Sequence, residues 1–439
     1  MLSFILRLPR VASRKQCLII TDPDFAKPIL FLLGVTLASM AIAQDSTPKA
    51  LEQARVELRR AVQEGEVAGA AHLVVRDGKT IYSEAAGRSD IEDKTPFKVE
   101  AILRIYSMTK PITSVGAMQL HEQGKFRLDD PVALHIPAFS NATVLQKVGD
   151  QWERVAPKRP VSIRDVLRHT TGYSYGDEAA VREFYEREGL RYWGPGDMFP
   201  PKMSIAKAAE ALARIPALHH PGENFTYGYS TDLLGRLIEV WSGKPLDRFL
   251  RESVLAPLEM TDTGFSVPQE KRARFTSCLT VRDGKFVVLD PAASSPFNDG
   301  FEFLSGGGGL VSTLPDYAKF CQMLVDGGQF KGRRLVKPET VKLMFTDQLN
   351  GVAGTFKFGL GFAIDEIKLG SGEVQSKVMQ YSWGGYASTE FRIVPAERLI
   401  QIFARQQIPY AQDMAKKEFA IVYEGLAAPA SAKPPTSDR

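Results

Sequence analysis

With 439 residues, 44% of them hydrophobic and 24% charged, the chain can bury a core of enzyme size, and nothing in its composition marks it as disordered or fibrous. Its formal net charge of +4 overstates any basic character. Residues 1–43 hold five Lys/Arg and two Asp/Glu, which leaves 50 basic against 49 acidic side chains in the remainder, a net of +1. No basic cluster is interleaved with aromatics, so no nucleic-acid partner is expected.

The chain opens with a modestly basic stretch to Lys27, then an apolar run from Pro28 to Met40, then Ala41-Ile42-Ala43. That order predicts a leader over 1–43, cut before Gln44. The apolar run is about a dozen residues, short of the roughly twenty that a spanning helix needs. The expectation is export to a periplasmic or extracellular compartment, with no membrane span once the leader is removed. A basic segment this long ahead of the apolar run indicates an atypical leader or a start codon placed upstream of the true one.

An amphipathic helix is predicted over about 50–63, with Leu51, Ala54, Leu58 and Ala61 on one face. Two β-like runs follow, 70–75 and 80–86, joined by Arg76-Asp77-Gly78-Lys79, a strong hairpin signal. The stretch 103–124 reads as an extended lead-in feeding an apolar helix. From about 130 to 300 no period-2 alternation is visible, and helices are expected near 163–168, 205–215 and 233–252. Helices near 315–326 and 338–345 precede strands at 358–364, 378–382, 388–394 and 399–405, a helix over 414–426 and a disordered tail at 427–439. Strands at both ends with helices between them imply an α+β fold: one antiparallel sheet built from the two chain ends, flanked by helices, with a mainly helical lobe. Residues 44–426 form that domain.

The lead-in ends at Ser107, and Lys110 follows three residues later. Residues three apart on a helix are surface neighbours, so the Lys110 amine reaches the Ser107 hydroxyl. A free hydroxyl is a poor nucleophile until an adjacent base takes its proton, and lysine can be that base. The spacing alone is weak, because the chain has two further S-x-x-K matches. Ser46 to Lys49 lies in a polar stretch, and Ser204 to Lys207 reads as a helix N-cap. Two downstream elements favour Ser107. Pro221 to Gly235 places Tyr227 and Tyr229 on a turn just before an apolar helix, where each is either a projecting phenol or a packing aromatic. Trp383-Gly384-Gly385-Tyr386 ends one strand and enters the next, its glycines permitting close backbone approach or a sharp bend.

Together these elements resemble the serine hydrolases related to class C β-lactamases and penicillin-binding proteins, most closely the family VIII carboxylesterases. The resemblance runs from about Val67 to Gln406 and includes 106–111, 161–172, the Pro221 loop, 256–263 and the glycine-rich 305–313. It implies Ser107 as the acylated nucleophile, Lys110 as its partner base and Tyr227 as the catalytic tyrosine. Tyr229 stands where β-lactamases have asparagine. Trp383-Gly384-Gly385 replaces the Lys-Thr-Gly whose cation clamps a substrate carboxylate, so a neutral ester is favoured over a β-lactam. The oxyanion is expected to be bound by the backbone N–H groups of Ser107 and Tyr386. No cofactor or metal is expected, and the implied partner is a small-molecule ester or amide.

Four other readings remain beside ester hydrolysis: β-lactamase activity, D-Ala-D-Ala peptidase activity, acyl transfer and a non-catalytic cell-wall binding role. Gly172-Tyr173-Ser174-Tyr175-Gly176 spells the G-x-S-x-G nucleophile elbow, but a helix-like segment rather than a strand precedes it, so Ser174 is expected in a loop near the pocket. Gly306 to Gly309 lacks the Gly-Lys-Ser/Thr of a phosphate loop. An exported compartment permits a disulfide between Cys278 and Cys321, while two cysteines this far apart in sequence are more often buried thiols; the sequence leaves both open.

Overall fold

A computed structural model describes residues 47–191, 203–371 and 375–426. The expected leader, the Ser46 end of the first chance motif and the expected tail lie outside the described residues.

The predicted hairpin forms as β1 (Gly69–Arg76) and β2 (Lys79–Gly87). Asp77 and Gly78 sit at φ 52° and 72°, the left-handed pair that a two-residue hairpin turn requires and that Asp-Gly adopts most readily. The C-terminal half contributes β3 (Lys357–Phe358), β4 (Ala363–Leu369), β5 (Ser376–Gly385), β6 (Thr389–Val394) and β7 (Leu399–Ala404). They join in the order β3-β4-β5-β6-β7-β1-β2, every neighbour antiparallel. The two chain ends meet at β7 and β1, where Leu73 faces Ile402 and Val75 faces Ile400. All six residues of β7 are buried, which explains a near-continuous apolar strand rather than an alternating one.

Helices cover both faces. On one, α1 (Thr47–Gln63) lays Ala50, Ala54, Leu58 and Ala61 against Val74, Tyr82 and Phe403. A helix from Asp413 to Gly425 adds Phe419 and Val422 to the same cluster. Within this apolar layer the buried His72 pairs with Glu418 at 2.9 Å and with Gln401 at 3.2 Å, tying β1 and β7 to the C-terminal helix. The opposite face packs on the larger core that contains the helical lobe.

Three expectations need correction. The 130–300 region carries two hairpins, Val144–Val148 with Gln151–Val155 and Cys278–Arg282 with Lys285–Asp290. Four of the five residues of 151–155 are exposed, so there was no apolar alternation to read; the second hairpin repeats the Asp-Gly turn, with Asp283 and Gly284 at φ 50° and 72°. The single helix expected over 233–252 is broken. It runs from Ser230 to Ser242 and stops at Gly243, whose φ of 67° makes a left-handed C-cap. A short helix restarts after Pro245 at Leu246. Finally, 358–364 is not one strand. The chain turns between β3 and β4 through Gly361 at φ 101°, where an added Cβ would meet Ser114 Oγ at 2.5 Å.

Candidate active site

The lead-in to Ser107 is anchored before it turns. Leu103–Arg104 pairs with Val311–Ser312, and the Gln406 side chain accepts from the Arg104 N–H at 2.9 Å and donates to its carbonyl at 3.1 Å. The Arg104 side chain is fully buried, 2.7 Å from the Asp290 carboxylate and 2.6 Å from the Thr276 carbonyl. The chain then makes a 3-10 turn over Tyr106–Met108 and enters the α-helix Thr109–Glu122. Tyr106 sits at φ 39°, a left-handed conformation that costs a bulky residue about 1–3 kcal/mol and persists where packing over-determines it. Here Tyr317 donates to the Met108 carbonyl at 2.9 Å, and Leu310 N–H donates to Thr109 Oγ1 at 3.1 Å.

Lys110 is 1% exposed and its amine donates to three acceptors: Ser107 Oγ at 3.1 Å, Tyr175 Oη at 3.0 Å and the Gly307 carbonyl at 2.7 Å. An ammonium has three N–H groups, and each has a partner. Among the described residues no carboxylate lies within ion-pair distance of it. Asp232, which lines the same cavity, is buried and tied to Ser305 Oγ and to the Gly307 N–H. Burial raises its carboxyl, an effect that the Lys110 charge and these hydrogen bonds oppose.

Sequence reasoning missed Tyr175. It expected Tyr227 beside the lysine, yet the phenol hydrogen-bonded to Lys110 is Tyr175, while Tyr227 presents its ring 4.6 Å from the amine and accepts from the Trp383 indole N–H at 3.3 Å. Burial first, then the neighbouring Tyr227 and Asp232, push the Tyr175 phenol well above its ordinary value, so it is a neutral donor and acceptor. The only hint in the chain was the Gly-Tyr-Ser-Tyr-Gly string, read there for its serine. Ser174 itself is buried and donates to Glu178 at 2.5 Å in a loop, as expected for a residue that is no elbow. His169 packs 5.1 Å from the Tyr227 ring; burial and the Lys110 charge hold its imidazole well below the usual range, so it stays neutral.

The other expected residues converge as follows. Gly385 backs onto the nucleophile turn, where an added Cβ would lie 2.2 Å from the Ile105 carbonyl; its lack of a side chain is what lets β5 end beside Ser107. Tyr386 falls in the turn after β5 rather than on the next strand, with its ring 6.1 Å from Tyr106. Tyr229 contributes its ring to the site wall, but its hydroxyl donates to the Leu190 carbonyl and so faces away from a substrate. The glycine-rich segment is structural: a Cβ on Gly306 would meet the Thr231 carbonyl at 2.6 Å and one on Gly307 the Asp232 carboxylate at 2.7 Å. Ser204 is a cap, accepting from the Lys207 N–H at 3.3 Å. Cys278 and Cys321 are free and buried.

Ser107, Tyr227 and Tyr386 line two cavities at once. One, of about 410 Å³, is walled by Tyr175, Tyr229, Phe303 and Gly307–Gly308. The other, of about 390 Å³, runs past Trp383 toward Glu390 and Tyr410. A half-buried serine bonded to a buried lysine at the junction of two cavities defines a serine hydrolase with room on both sides of a scissile bond.

Comparison with known proteins agrees. The Beta-lactamase family profile matches residues 50–423, and the chain belongs to that family. It is 31% identical over 379 residues to Protein Rv1367c of Mycobacterium tuberculosis, covering 82% of this chain and 90% of that one. It is 26% identical over 296 residues to Esterase EstB of Burkholderia gladioli, covering 63% and 72%. Acyltransferases are also among its relatives. The structure titled "EstCE1, a hydrolase with promiscuous acyltransferase activity" superposes with a TM-score of 0.69 at 24% identity, over 87% of this chain and all of the other, and shares the β-lactamase/transpeptidase-like α+β fold.

Proposed function

We propose that this enzyme cleaves a carboxylic ester through an acyl-enzyme on Ser107. The observation that carries the reading is the 3.1 Å bond between the buried Lys110 amine and Ser107 Oγ, set opposite a third motif that offers an indole in place of a cation. Ser107 Oγ attacks the ester carbonyl as its proton passes to the neutral form of the Lys110 amine or to the phenolate form of Tyr227. The tetrahedral oxyanion is held by the Ser107 and Tyr386 N–H groups, each donor worth about 3 kcal/mol of transition-state stabilisation. Tyr227 returns a proton to the departing alcohol oxygen and water then hydrolyses the acyl-enzyme. Tyr175 joins this relay by fixing the amine.

Transfer of the acyl group to a second alcohol is the alternative, favoured by the two cavities meeting at Ser107: one retains the acyl chain while the other exchanges its occupant. Intact-mass spectrometry after brief exposure to p-nitrophenyl butyrate, nitrocefin or a fluorophosphonate tests the scheme. An adduct on the wild type that is absent from Ser107→Ala supports it, with the butyrate turned over faster than nitrocefin. No label from any reagent overturns it. Export is likewise proposed from residues 1–43, and N-terminal sequencing of the secreted or periplasmic protein should begin at Gln44.

A further inference from the structure

Past the Trp383 indole, the 390 Å³ cavity changes from aromatic to polar, and the polar groups are built in. Gly384 has no side chain because Tyr410 occupies that space: an added Cβ would lie 2.3 Å from the Tyr410 hydroxyl. That phenol donates to Glu390 Oε1 at 2.8 Å and accepts from Gln412 Nε2 at 2.9 Å. Glu390 is 6% exposed, and its second oxygen lies 3.4 Å from the Arg392 guanidinium, which itself packs over the Phe419 ring at 4.3 Å. The network is therefore held in place from several sides before any ligand arrives.

Its charges cancel. Arg392 is offset by Glu390, and the two further charged residues lining the cavity, Lys416 and Asp365, are exposed and of opposite sign. No net counter-charge selects an ionic group. What remains is a set of phenol, amide and carboxylate groups held in place near the Trp383 and Phe356 rings, a pattern that matches hydroxyl groups, which both donate and accept, on a carbon skeleton with an apolar face. The Tyr227 hydroxyl stands between the cavities, accepting from the Trp383 N–H on this side and hydrogen-bonding to Tyr175 on the other, so it borders an alcohol oxygen seated in this cavity.

We propose that this cavity binds the alcohol portion of the substrate and that this alcohol is a neutral, polyhydroxylated one between glycerol and a monosaccharide in size. The inference rests on the ester-cleaving reading of Ser107. In the step concerned, the Ser107 Oγ–acyl carbon bond forms, the acyl carbon–alcohol oxygen bond breaks, and the alcohol leaves with the proton from Tyr227; water then supplies the oxygen and the proton that regenerate the acid and Ser107.

The test compares kcat/KM of the purified protein for 1-butyryl glycerol and for propyl butyrate, which share the acyl group and the carbon skeleton and differ only in two hydroxyls, with p-nitrophenyl butyrate as reference. A preference of about tenfold or more for the glycerol ester is expected, because a site built to bond a substrate hydroxyl discriminates against the analogue lacking it. In Tyr410→Phe and Gln412→Leu the ratio should fall toward one. Simple structural damage lowers both rates and leaves the ratio unchanged, which would overturn the assignment of these residues. Equal wild-type rates on the two alkyl esters, with p-nitrophenyl butyrate still cleaved, overturn this inference alone. Failure on all three esters overturns the ester reading with it.

Discussion

Arg104 and Lys110, six positions apart, are both cations buried beneath the same turn, at 0% and 1% exposure. Arg104 meets a full opposite charge in Asp290, a carbonyl and an aromatic face. Lys110 meets only hydroxyls and a carbonyl. A guanidinium cannot give up its proton in a protein, so the first arrangement is a rivet. An amine is not so restricted, and the partners of Lys110 are hydroxyls and a carbonyl rather than a carboxylate, with Ser107 among them. Burial alone therefore does not mark a functional cation; the kind of partner does.

The largest expected effect breaks the second arrangement. Lys110→Met should lower kcat/KM for p-nitrophenyl butyrate by about 10³–10⁴-fold, at the upper end of proton-transfer catalysis, with little loss of stability in a urea titration. Asp290→Ala breaks the first, leaving Arg104 buried without its counter-ion, and should cost about 3–5 kcal/mol of unfolding free energy. If instead Lys110→Met unfolds the protein while Asp290→Ala spares its stability, the contrast between the two cations fails.

A third prediction concerns Asp165, in the segment that packs beneath the Tyr227 loop. Burial works to raise this carboxyl, but hydrogen bonds from Arg159 and Ser162 outweigh it and hold it at about 2, below its unfolded value. The stability from this depressed group is present above about pH 4 and is lost as pH falls toward 2, amounting to about 2 kcal/mol. Urea midpoints across that window should fall in the wild type and flatten in Asp165→Asn. The smallest effect is at Tyr175. Tyr175→Phe removes one of three acceptors around the amine and should reduce kcat about tenfold with KM nearly unchanged, since the phenol orients Lys110 rather than binding substrate. An unchanged kcat would remove Tyr175 from the relay.

Much of the scaffold was legible because it depends on local sterics. Asp77-Gly78 specified its turn, and the apolar spacing in 50–63 specified one helix face. The hairpin at 144–155 left no apolar pattern, because four of the five residues of its second strand are exposed; the one at 278–290 was legible in principle from Asp283-Gly284, the same turn signal as Asp77-Gly78. The break at Gly243 was legible in principle from Gly-Lys-Pro, but the apolar period continues across it.

In the site the division is the same. The chain by itself determined that Lys110 lies one helical turn from Ser107, since that distance is set by backbone geometry within three residues. It also determined that Trp383 and not lysine stands at the third motif. Only the tertiary structure decided that Tyr175 is the phenol on the amine, that the Tyr229 hydroxyl turns to Leu190, and that Tyr410 fills the space beside Gly384. Each of these joins segments tens of residues apart, and such pairings follow from how the whole core packs, which no local pattern encodes.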